Sequence, residues 1–209
     1  MLEFDIVVVF FLASLALGLA PGPDNIFVLS QSALHGPIAG MVVTLGLCTG
    51  IVVHSVAVAF GVAALFAASE VAFTVLKAIG AAYLLYLAWQ AARAGSTALS
   101  SANAMEPSLW QLYRRGIIMN VTNPKVAIFF LAFLPQFADP ERGALEPQFL
   151  TLGSLFIVAT LMVFGVVAWM AGYLGQWLRR SPTAQIVLNR LAAVVFFALA
   201  VRLIAAQRT

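Results

Sequence analysis

The chain consists of long apolar runs separated by short polar or proline-containing stretches. A helix of about 20 apolar residues crosses the hydrocarbon core of a bilayer, and each run reaches that length. The pattern therefore predicts an all-α, polytopic membrane protein with six transmembrane helices. The predicted spans are residues 4–34, 39–68, 71–92, 115–137, 148–178 and 187–206.

Composition supports this prediction and excludes other classes. The 209 residues are 63% hydrophobic and 9% charged, whereas soluble domains are about 45–50% apolar and 25% charged. The net charge is +3, but the basic residues stand singly or in pairs, which argues against nucleic-acid binding. Cys48 is the only cysteine, so an internal disulfide is excluded and we interpret it as a buried apolar filler. We expect no cofactor.

The longest polar stretch, 94–114, divides the chain into two halves. We interpret it as a cytoplasmic linker between a first three-helix repeat, 1–93, and a second, 115–209. Gly22-Pro23-Asp24 in the first span corresponds to Asn123-Pro124-Lys125 in the fourth. Because each half has three spans, the second would enter the membrane in the opposite sense, as in the inverted repeats of secondary transporters.

Two further matches follow in the same order, Thr44–Gly46 with Thr151–Gly153, and Lys77 and Tyr83 with Arg190 and Phe196. Chance similarity between helices rich in glycine and alanine is the alternative to an internal repeat.

The distribution of basic residues predicts the orientation. The loops joining spans 1 to 2, 3 to 4 and 5 to 6 lie on the more basic side, and the positive-inside rule places that side in the cytoplasm. Both termini then lie on the outer side of the membrane, which we expect to be the cytoplasmic (inner) membrane of a bacterium. Glu3 and Asp5 precede the first apolar run where a signal peptide would carry positive charge, so we expect that run to be retained as a span. The residues on the basic side are Arg93, Arg114, Arg115, Arg179, Arg180 and Arg190; those on the other are Lys77, Arg142, Arg202 and Arg208.

Proline interrupts the first and fourth spans. Pro21 and Pro23 remove backbone donors, which predicts that the helix breaks there and restarts with Pro23 as its first residue. In the fourth span we expect Asn123 to be the N-cap and Pro124 the first helical residue. About 10 to 12 residues follow each break, or roughly 15–18 Å of helix, which places both breaks near the bilayer midplane. Free backbone groups at that depth predict a polar cavity and a substrate site. A simple packing kink is the alternative.

An opposite charge accompanies each break. The helix dipole favours Asp24 in the first turn of its half-helix but disfavours Lys125 in the equivalent position. Lys125 therefore needs a partner, which is either Asp24 or a charged substrate, and a zwitterion would suit both residues. The alternative is a structural salt bridge between the two halves. The predicted substrate-binding residues are Gly22, Pro23, Asp24, Asn25, Asn120, Asn123, Pro124 and Lys125.

The second span contributes two further features. His54 lies near its middle, and together with Asp24 it is a candidate for proton coupling; a neutral histidine that packs between helices is the alternative. Gly46-x-x-x-Gly50 indicates a close helix contact, within the chain or in a dimer.

At these residues the chain resembles the LysE/RhtB family of amino-acid exporters. Asp24 followed by Asn25 is closer to the RhtB branch, which is associated with neutral amino acids such as homoserine, threonine or leucine. The resemblance implies export driven by the proton gradient and a homodimer. It rests on Pro21–Asn25, His35-Gly36, Ala39-Gly40, Leu76-Lys77, Gly80–Leu84 and Asn120–Lys125.

We therefore expect a secondary active exporter of a small neutral aliphatic amino acid, working by proton antiport. Its partners would be that amino acid, protons and the lipid bilayer. A metal or inorganic cation exporter using Asp24, Cys48 and His54 is an alternative, although the chain offers few soft ligands. No zinc-protease pattern, nucleophile elbow or carboxylate pair appears, which argues against a hydrolase, and we expect that the protein is not an enzyme. A non-transporting assembly subunit is a further alternative.

Overall fold

The computed structural model of the protein describes residues 2–62, 70–95, 107–171, 173, 177 and 181–205. This part of the chain is helical apart from short connections, and it contains no strand. The α-helices are α1 (Phe4–Leu19), α2 (Pro23–His35), α3 (Pro37–Ala57), α4 (Glu70–Arg93), α5 (Leu109–Val121), α6 (Pro124–Ile128), α7 (Leu145–Trp169) and α8 (Pro182–Ala205). A π-helical turn, Val58–Val62, continues α3; a π-helical turn, Phe129–Phe133, and a 3-10 turn, Leu134–Phe137, continue α6.

The helices confirm a polytopic all-α membrane protein. Four of them are long and apolar enough to cross a membrane: Pro37–Gly61, Thr74–Arg93, Leu145–Trp169 and Thr183–Ala205. Two bent pairs bring the number to six if each pair is one span: Phe4–Leu19 with Pro23–His35, bent by 62°, and Leu109–Val121 with Pro124–Phe137, bent by 49°. The predicted breaks in the first and fourth spans are therefore confirmed.

The fourth span begins earlier than the sequence predicted. Helix α5 starts at Leu109, inside the stretch interpreted as linker, because Ser108 and Gln111 form a capping box at its N-terminus. Its first turns carry Trp110, Arg114 and Arg115, so a search for a continuous apolar run misses them. Residues 96–106 of the predicted linker, with 63–68 and most of 172–178 of two predicted spans, lie outside the described residues.

Helix α3 crosses α5 at very short distance, which confirms the close contact predicted from Gly46-x-x-x-Gly50. A Cβ added to Gly46 would overlap the carbonyl oxygen of Tyr113, and one added to Gly116 would overlap that of Val43. Gly50 faces Asn120, whose Cβ and Oδ1 would be 2.7 Å from an added Cβ. The partner of this glycine pair is thus a helix of the same chain, as small-residue helix contacts in membranes allow.

The packing of the two halves is reciprocal. Helix α1 packs on α7, α5 packs on α3, and α3 also contacts α7, while α4 pairs with α8. The first part of each broken span therefore lies against the second span of the other predicted repeat, and the third spans lie together. An inverted repeat would produce this arrangement. The inverted repeat stays a prediction, which this packing supports.

An aromatic cluster, which we define as Phe10, Phe129, Phe133, Phe137 and Phe156, packs between α1, the turns that continue α6, and α7. All five side chains are at most 4% exposed, and successive ring centroids lie 4.9–5.8 Å apart. At the same end of the bundle an ionic bridge joins α1 to the loop before α7. Arg142 contacts Glu3 at 2.7 Å and Asp139 at 2.8 Å.

Candidate functional site

The first break leaves the C-terminal end of α1 without helical continuation. After Leu19 the chain passes through Ala20 and Pro21 to Gly22, whose extended backbone (φ −169°, ψ 177°) leads into Pro23 at the start of α2. Pro23 is the first helical residue, as predicted. The last carbonyls of α1 face no following turn, so they need other hydrogen-bond donors.

Two side chains supply those donors. Lys125 Nζ, at the start of α6, donates to the carbonyl oxygens of Leu17 at 3.2 Å and Ala20 at 3.1 Å. Asn25 Nδ2 donates to the carbonyl oxygen of Gly18 at 2.7 Å. A cation at a helix C-terminus is favoured by the dipole. This explains why a buried lysine occurs where the dipole of its own helix disfavours it: the ammonium crosses to the carbonyl end of α1.

Asp24 and Lys125 do not form a direct ion pair in the described part of the chain, so the salt bridge considered from the sequence is not formed. Asn123 joins them instead. Its Nδ2 donates to Asp24 Oδ2 at 2.9 Å, and its Oδ1 accepts from the Lys125 backbone N–H at 3.0 Å. The second of these bonds is the predicted N-cap of α6. Both ends of one amide therefore tie the two breaks together.

The carbonyl end of α5, at the second break, is satisfied in a different way. The carbonyl oxygen of Asn120 accepts from the Asn123 backbone N–H at 3.1 Å and lies 3.3 Å from His54 Nε2. The His54 ring also packs near Phe130, with centroids 5.6 Å apart. His54 therefore packs between helices and belongs to the same hydrogen-bonded group as Asp24, and its role in proton coupling stays a prediction.

Three buried side-chain oxygens at the breaks have no hydrogen-bond partner among the described residues: Asp24 Oδ1, Asn25 Oδ1 and Asn120 Oδ1. A buried acceptor without a donor costs about 1–3 kcal/mol. Such atoms are therefore good candidates to receive a polar group from a ligand.

A cavity of about 560 Å³ extends from the two breaks along α4 and α8. Both proline motifs form one end of it, where Asn123 and Lys125 are buried, and the other end lies beside the C-terminal end of α4, where Gln90 and Arg93 are exposed. We call the first the inner end and the second the mouth. The lining residues are Pro21, Gly22, Pro23, Asn123, Pro124 and Lys125 at the breaks, Tyr83, Leu87, Trp89, Gln90, Ala91, Arg93 and Ala94 from α4 and its end, and Asn189 and Phe196 from α8.

Most of the residues predicted as a site meet at this cavity. Gly22, Pro23, Asn123, Pro124 and Lys125 line it, and Asp24 is one hydrogen bond away through Asn123. The other three predicted residues do not line it: Asn25 turns to Gly18, Asn120 faces Gly50, and His54 contacts Asn120.

The sequence did not identify the walls of the cavity. Tyr83 and Phe196 both line it, and they occupy equivalent positions in the two predicted repeats, so the repeat match was a signal for them. Arg93 was interpreted only as a topological charge. The charged side chains in the lining are Lys125 and Arg93, with no carboxylate among the described lining residues, so the cavity favours an anionic group.

Comparison with known proteins agrees with this architecture. The family model described as LysE type translocator matches residues 15–207. The chain belongs to this family. The homoserine/homoserine lactone efflux protein of Salmonella typhi is 35% identical over 187 residues, covering 90% of each chain. A Vibrio cholerae protein described as an uncharacterized membrane protein is 34% identical over 196 residues, covering 93% of this chain and 94% of its own. No solved structure matches.

As a LysE type translocator the protein is a multi-pass membrane transport protein. Cys48 is buried, as predicted. Within the described residues no group of three or more His, Cys, Asp or Glu side chains is placed to hold a metal ion.

Proposed function

We propose that this protein is a secondary active exporter of a small neutral aliphatic amino acid, coupled to proton antiport. The observation that carries the proposal is the inner end of the cavity, where Lys125 caps the carbonyl end of α1 and adjoins Gly22 at the start of α2. The efflux of homoserine and its lactone, named for the Salmonella relative, supports the substrate class.

The first turn of α2 provides the complement to a carboxylate. Gly22 is its N-cap and makes no side-chain cap, and the backbone N–H groups of Asp24 and Asn25 have no partner in the hydrogen bonds of the described residues. Free N–H groups at a helix N-terminus bind anions, and Lys125 Nζ adjoins them, since a Cβ on Gly22 would lie 3.1 Å from it. We place the substrate carboxylate here.

The ammonium of the substrate would bind the unpaired carboxylate oxygen, Asp24 Oδ1. Asn25 Oδ1, which also has no partner among the described residues, is a second acceptor in the same helical turn. A zwitterion bound in this way would satisfy orphaned acceptors of the first break and its free N–H groups together.

The walls support a neutral, aliphatic side chain. Tyr83, Leu87 and Phe196 present apolar surface to the cavity, while Lys125 and Arg93 would repel a basic side chain. We therefore propose neutral amino acids such as homoserine, threonine or leucine in preference to lysine.

Orientation follows from where the cavity opens. Its mouth lies beside Arg93 and Ala94, on the side that the positive-inside rule assigns to the cytoplasm. The opposite end is closed by the aromatic cluster and by the bridge from Arg142 to Glu3 and Asp139. We propose an inner-membrane protein with both termini outside, in a conformation open to the cytoplasm. We include the homodimer that the family resemblance implies; cross-linking of the protein in membranes tests it.

Proton coupling is assigned to Asp24. Once the substrate has left outward, a proton arriving on Asp24 Oδ1 would neutralise the buried carboxylate and lower the cost of returning the empty carrier. His54 belongs to the same group, because Asn123 and the Asn120 carbonyl connect it to Asp24. We propose it as a secondary proton site.

Transport by the purified chain tests the proposal. The full-length protein is reconstituted in liposomes, and movement of radiolabelled homoserine and leucine is followed with and without an imposed pH gradient. We expect gradient-driven flux by the wild type and a loss of at least about tenfold in Asp24→Asn, since the substrate and the proton would share this carboxylate. Asp5→Asn is the matched control, because Asp5 is exposed near the N-terminus. Normal gradient-driven flux by Asp24→Asn would reject the assigned site. Flux by the chain alone would exclude a role as a mere assembly subunit, and transport of cations only would favour the metal alternative.

A further inference from the structure

The mouth of the cavity holds an arginine in a fixed position. Arg93 is in the last turn of α4, and its guanidinium carbon lies 4.6 Å above the centroid of the Trp89 ring. Asn189 of α8 donates to the carbonyl oxygens of Ala94 at 3.3 Å and Gly95 at 3.2 Å, which anchors the chain directly after Arg93. The ring contact therefore holds the guanidinium of Arg93, and the two hydrogen bonds hold the backbone that follows it.

Arg93 has no carboxylate partner in the described part of the chain. Arg142, at the closed end, shows the contrast: it contacts two carboxylates at 2.7 and 2.8 Å, so its charge is already engaged. A guanidinium binds a carboxylate through two parallel hydrogen bonds. The Arg93 guanidinium is thus available at the cavity mouth to bind an incoming carboxylate through two hydrogen bonds.

A neighbouring amide extends this group. Gln90, one turn before Arg93, also lines the cavity, and its Nε2 donates to the Tyr86 hydroxyl at 2.5 Å. That bond orients the amide and leaves its Oε1 as an acceptor. Residues three apart on a helix lie side by side, so one acceptor and one guanidinium face the mouth together.

The mouth is well separated from the inner site. An added Cβ on Gly80 would contact both Ala132 and Ile128 of the fourth span. Arg93 lies thirteen residues beyond Gly80. Lys125 lies three to seven residues from those contacts in the same direction, so Arg93 and Lys125 are about 9–15 Å apart along the helix axis. A small amino acid cannot reach both places at once.

We infer that Arg93 and Gln90 form a vestibule subsite that captures the headgroup of an α-amino acid at the mouth, before it moves to the inner site. The substrate carboxylate binds the Arg93 guanidinium, and the ammonium binds Gln90 Oε1. This inference rests on the proposed function. It adds a first binding site to the transport path, and it gives Arg93 a role in binding besides its contribution to membrane orientation.

Transport kinetics in inverted membrane vesicles, which present the proposed cytoplasmic face to the medium, test the subsite. Homoserine carries a free carboxylate and homoserine lactone does not, so the pair separates carboxylate recognition from other effects. For Arg93→Gln we expect the KM for homoserine to rise about tenfold with little change in maximal rate, as loss of a charge-assisted hydrogen bond implies. The KM for the lactone should not change. Arg190→Gln is the matched control, since Arg190 is exposed on α8 and does not line the cavity.

The outcomes are separable. Equal changes for homoserine and its lactone, or no change for either, would overturn the subsite. If Arg93→Gln does not insert into the membrane, Arg93→Lys is used, because lysine keeps the positive charge but cannot bind a carboxylate through two parallel hydrogen bonds. We then expect a smaller rise in the KM for homoserine and none for the lactone. An unchanged KM for homoserine, or an equal rise for the lactone, would count against the subsite. If the wild type transports neither homoserine nor its lactone, the proposed function itself is rejected.

Discussion

The two helix breaks have the same sequence plan but satisfy their backbone groups in different ways. At the first break the carbonyl end is capped by the side chains of Lys125 and Asn25, while the new N-terminus at Pro23 has no side-chain cap. At the second break Asn123 caps the new N-terminus and also donates to the carbonyl end, with His54 beside it.

This difference suggests different roles: the second break is structural, and the first is the binding site. The second break is capped by its own residue, Asn123, and the side chain of Lys125 donates to a carbonyl oxygen of the first break. The first break keeps free N–H groups and an unpaired carboxylate oxygen on Asp24. Since unsatisfied buried groups gain most from a new partner, the first break is where a ligand has most to offer. Four substitutions test this comparison.

The largest effect is expected for Lys125→Met. This change leaves the carbonyls of Leu17 and Ala20 without their donor, at about 1–3 kcal/mol for each buried group, and it removes the proposed carboxylate ligand. We expect loss of homoserine transport in liposomes and a lower Tm. Lys77→Met, at the chain's other lysine, is the control. Transport by Lys125→Met at the wild-type rate would mean that the lysine is not part of the site.

Asn123→Ala should have the next largest effect. It removes the cap of α6 and the hydrogen bond to Asp24, and loss of an N-cap alone costs about 1 kcal/mol. We expect a lower Tm and reduced transport. The adjacent Thr122→Ala is matched, because the Thr122 hydroxyl is exposed and bonds only within its own helix. Equal losses in the two variants would refute the bridging role of Asn123.

Gly22→Ala should alter binding with little effect on stability. The backbone of Gly22 is extended and accepts alanine, but the new Cβ would lie 3.1 Å from Lys125 Nζ and shift the ammonium. We expect a higher KM for homoserine and an unchanged Tm. Gly61→Ala is the control, since nothing lies within 4 Å of a Cβ there. An unchanged KM would place the substrate away from Gly22.

The smallest effect is expected for His54→Gln. Glutamine retains a donor for the Asn120 carbonyl and loses the titratable ring. If Asp24 is the main proton site, gradient-driven flux should fall only by about a factor of two, while homoserine counterflow, which needs no net proton movement, stays normal. Complete loss of gradient-driven flux with normal counterflow would instead make His54 the main coupling residue.

Local signals in the sequence predicted much of the fold. Pro23 and Pro124 were expected as first helical residues and Asn123 as a cap, and the structure has all three. The glycine pair Gly46 and Gly50 was expected at a close helix contact and lies against α5. The start of α5 was predicted too late, because its first turns are held by a capping box and lack a continuous apolar run.

The site was predictable only in part. Its residues at the breaks could be identified because proline interrupts a helix and charged residues are rare in spans. The cavity walls on α4 and α8, and the position of Arg93 at the mouth, could not be, because they depend on which helices lie side by side.

By itself the sequence determined that the chain spans a membrane, where two of its helices break and which charges stand at the breaks. These follow from hydropathy and from proline geometry, which act over a few residues. Only the tertiary structure decided what the charges contact. Lys125 reaches carbonyls 105 and 108 residues away, and Asp24 meets an asparagine 99 residues away. The physical reason is that a broken helix exposes backbone groups locally, whereas the side chains that satisfy them come from whichever distant segment packs against the break.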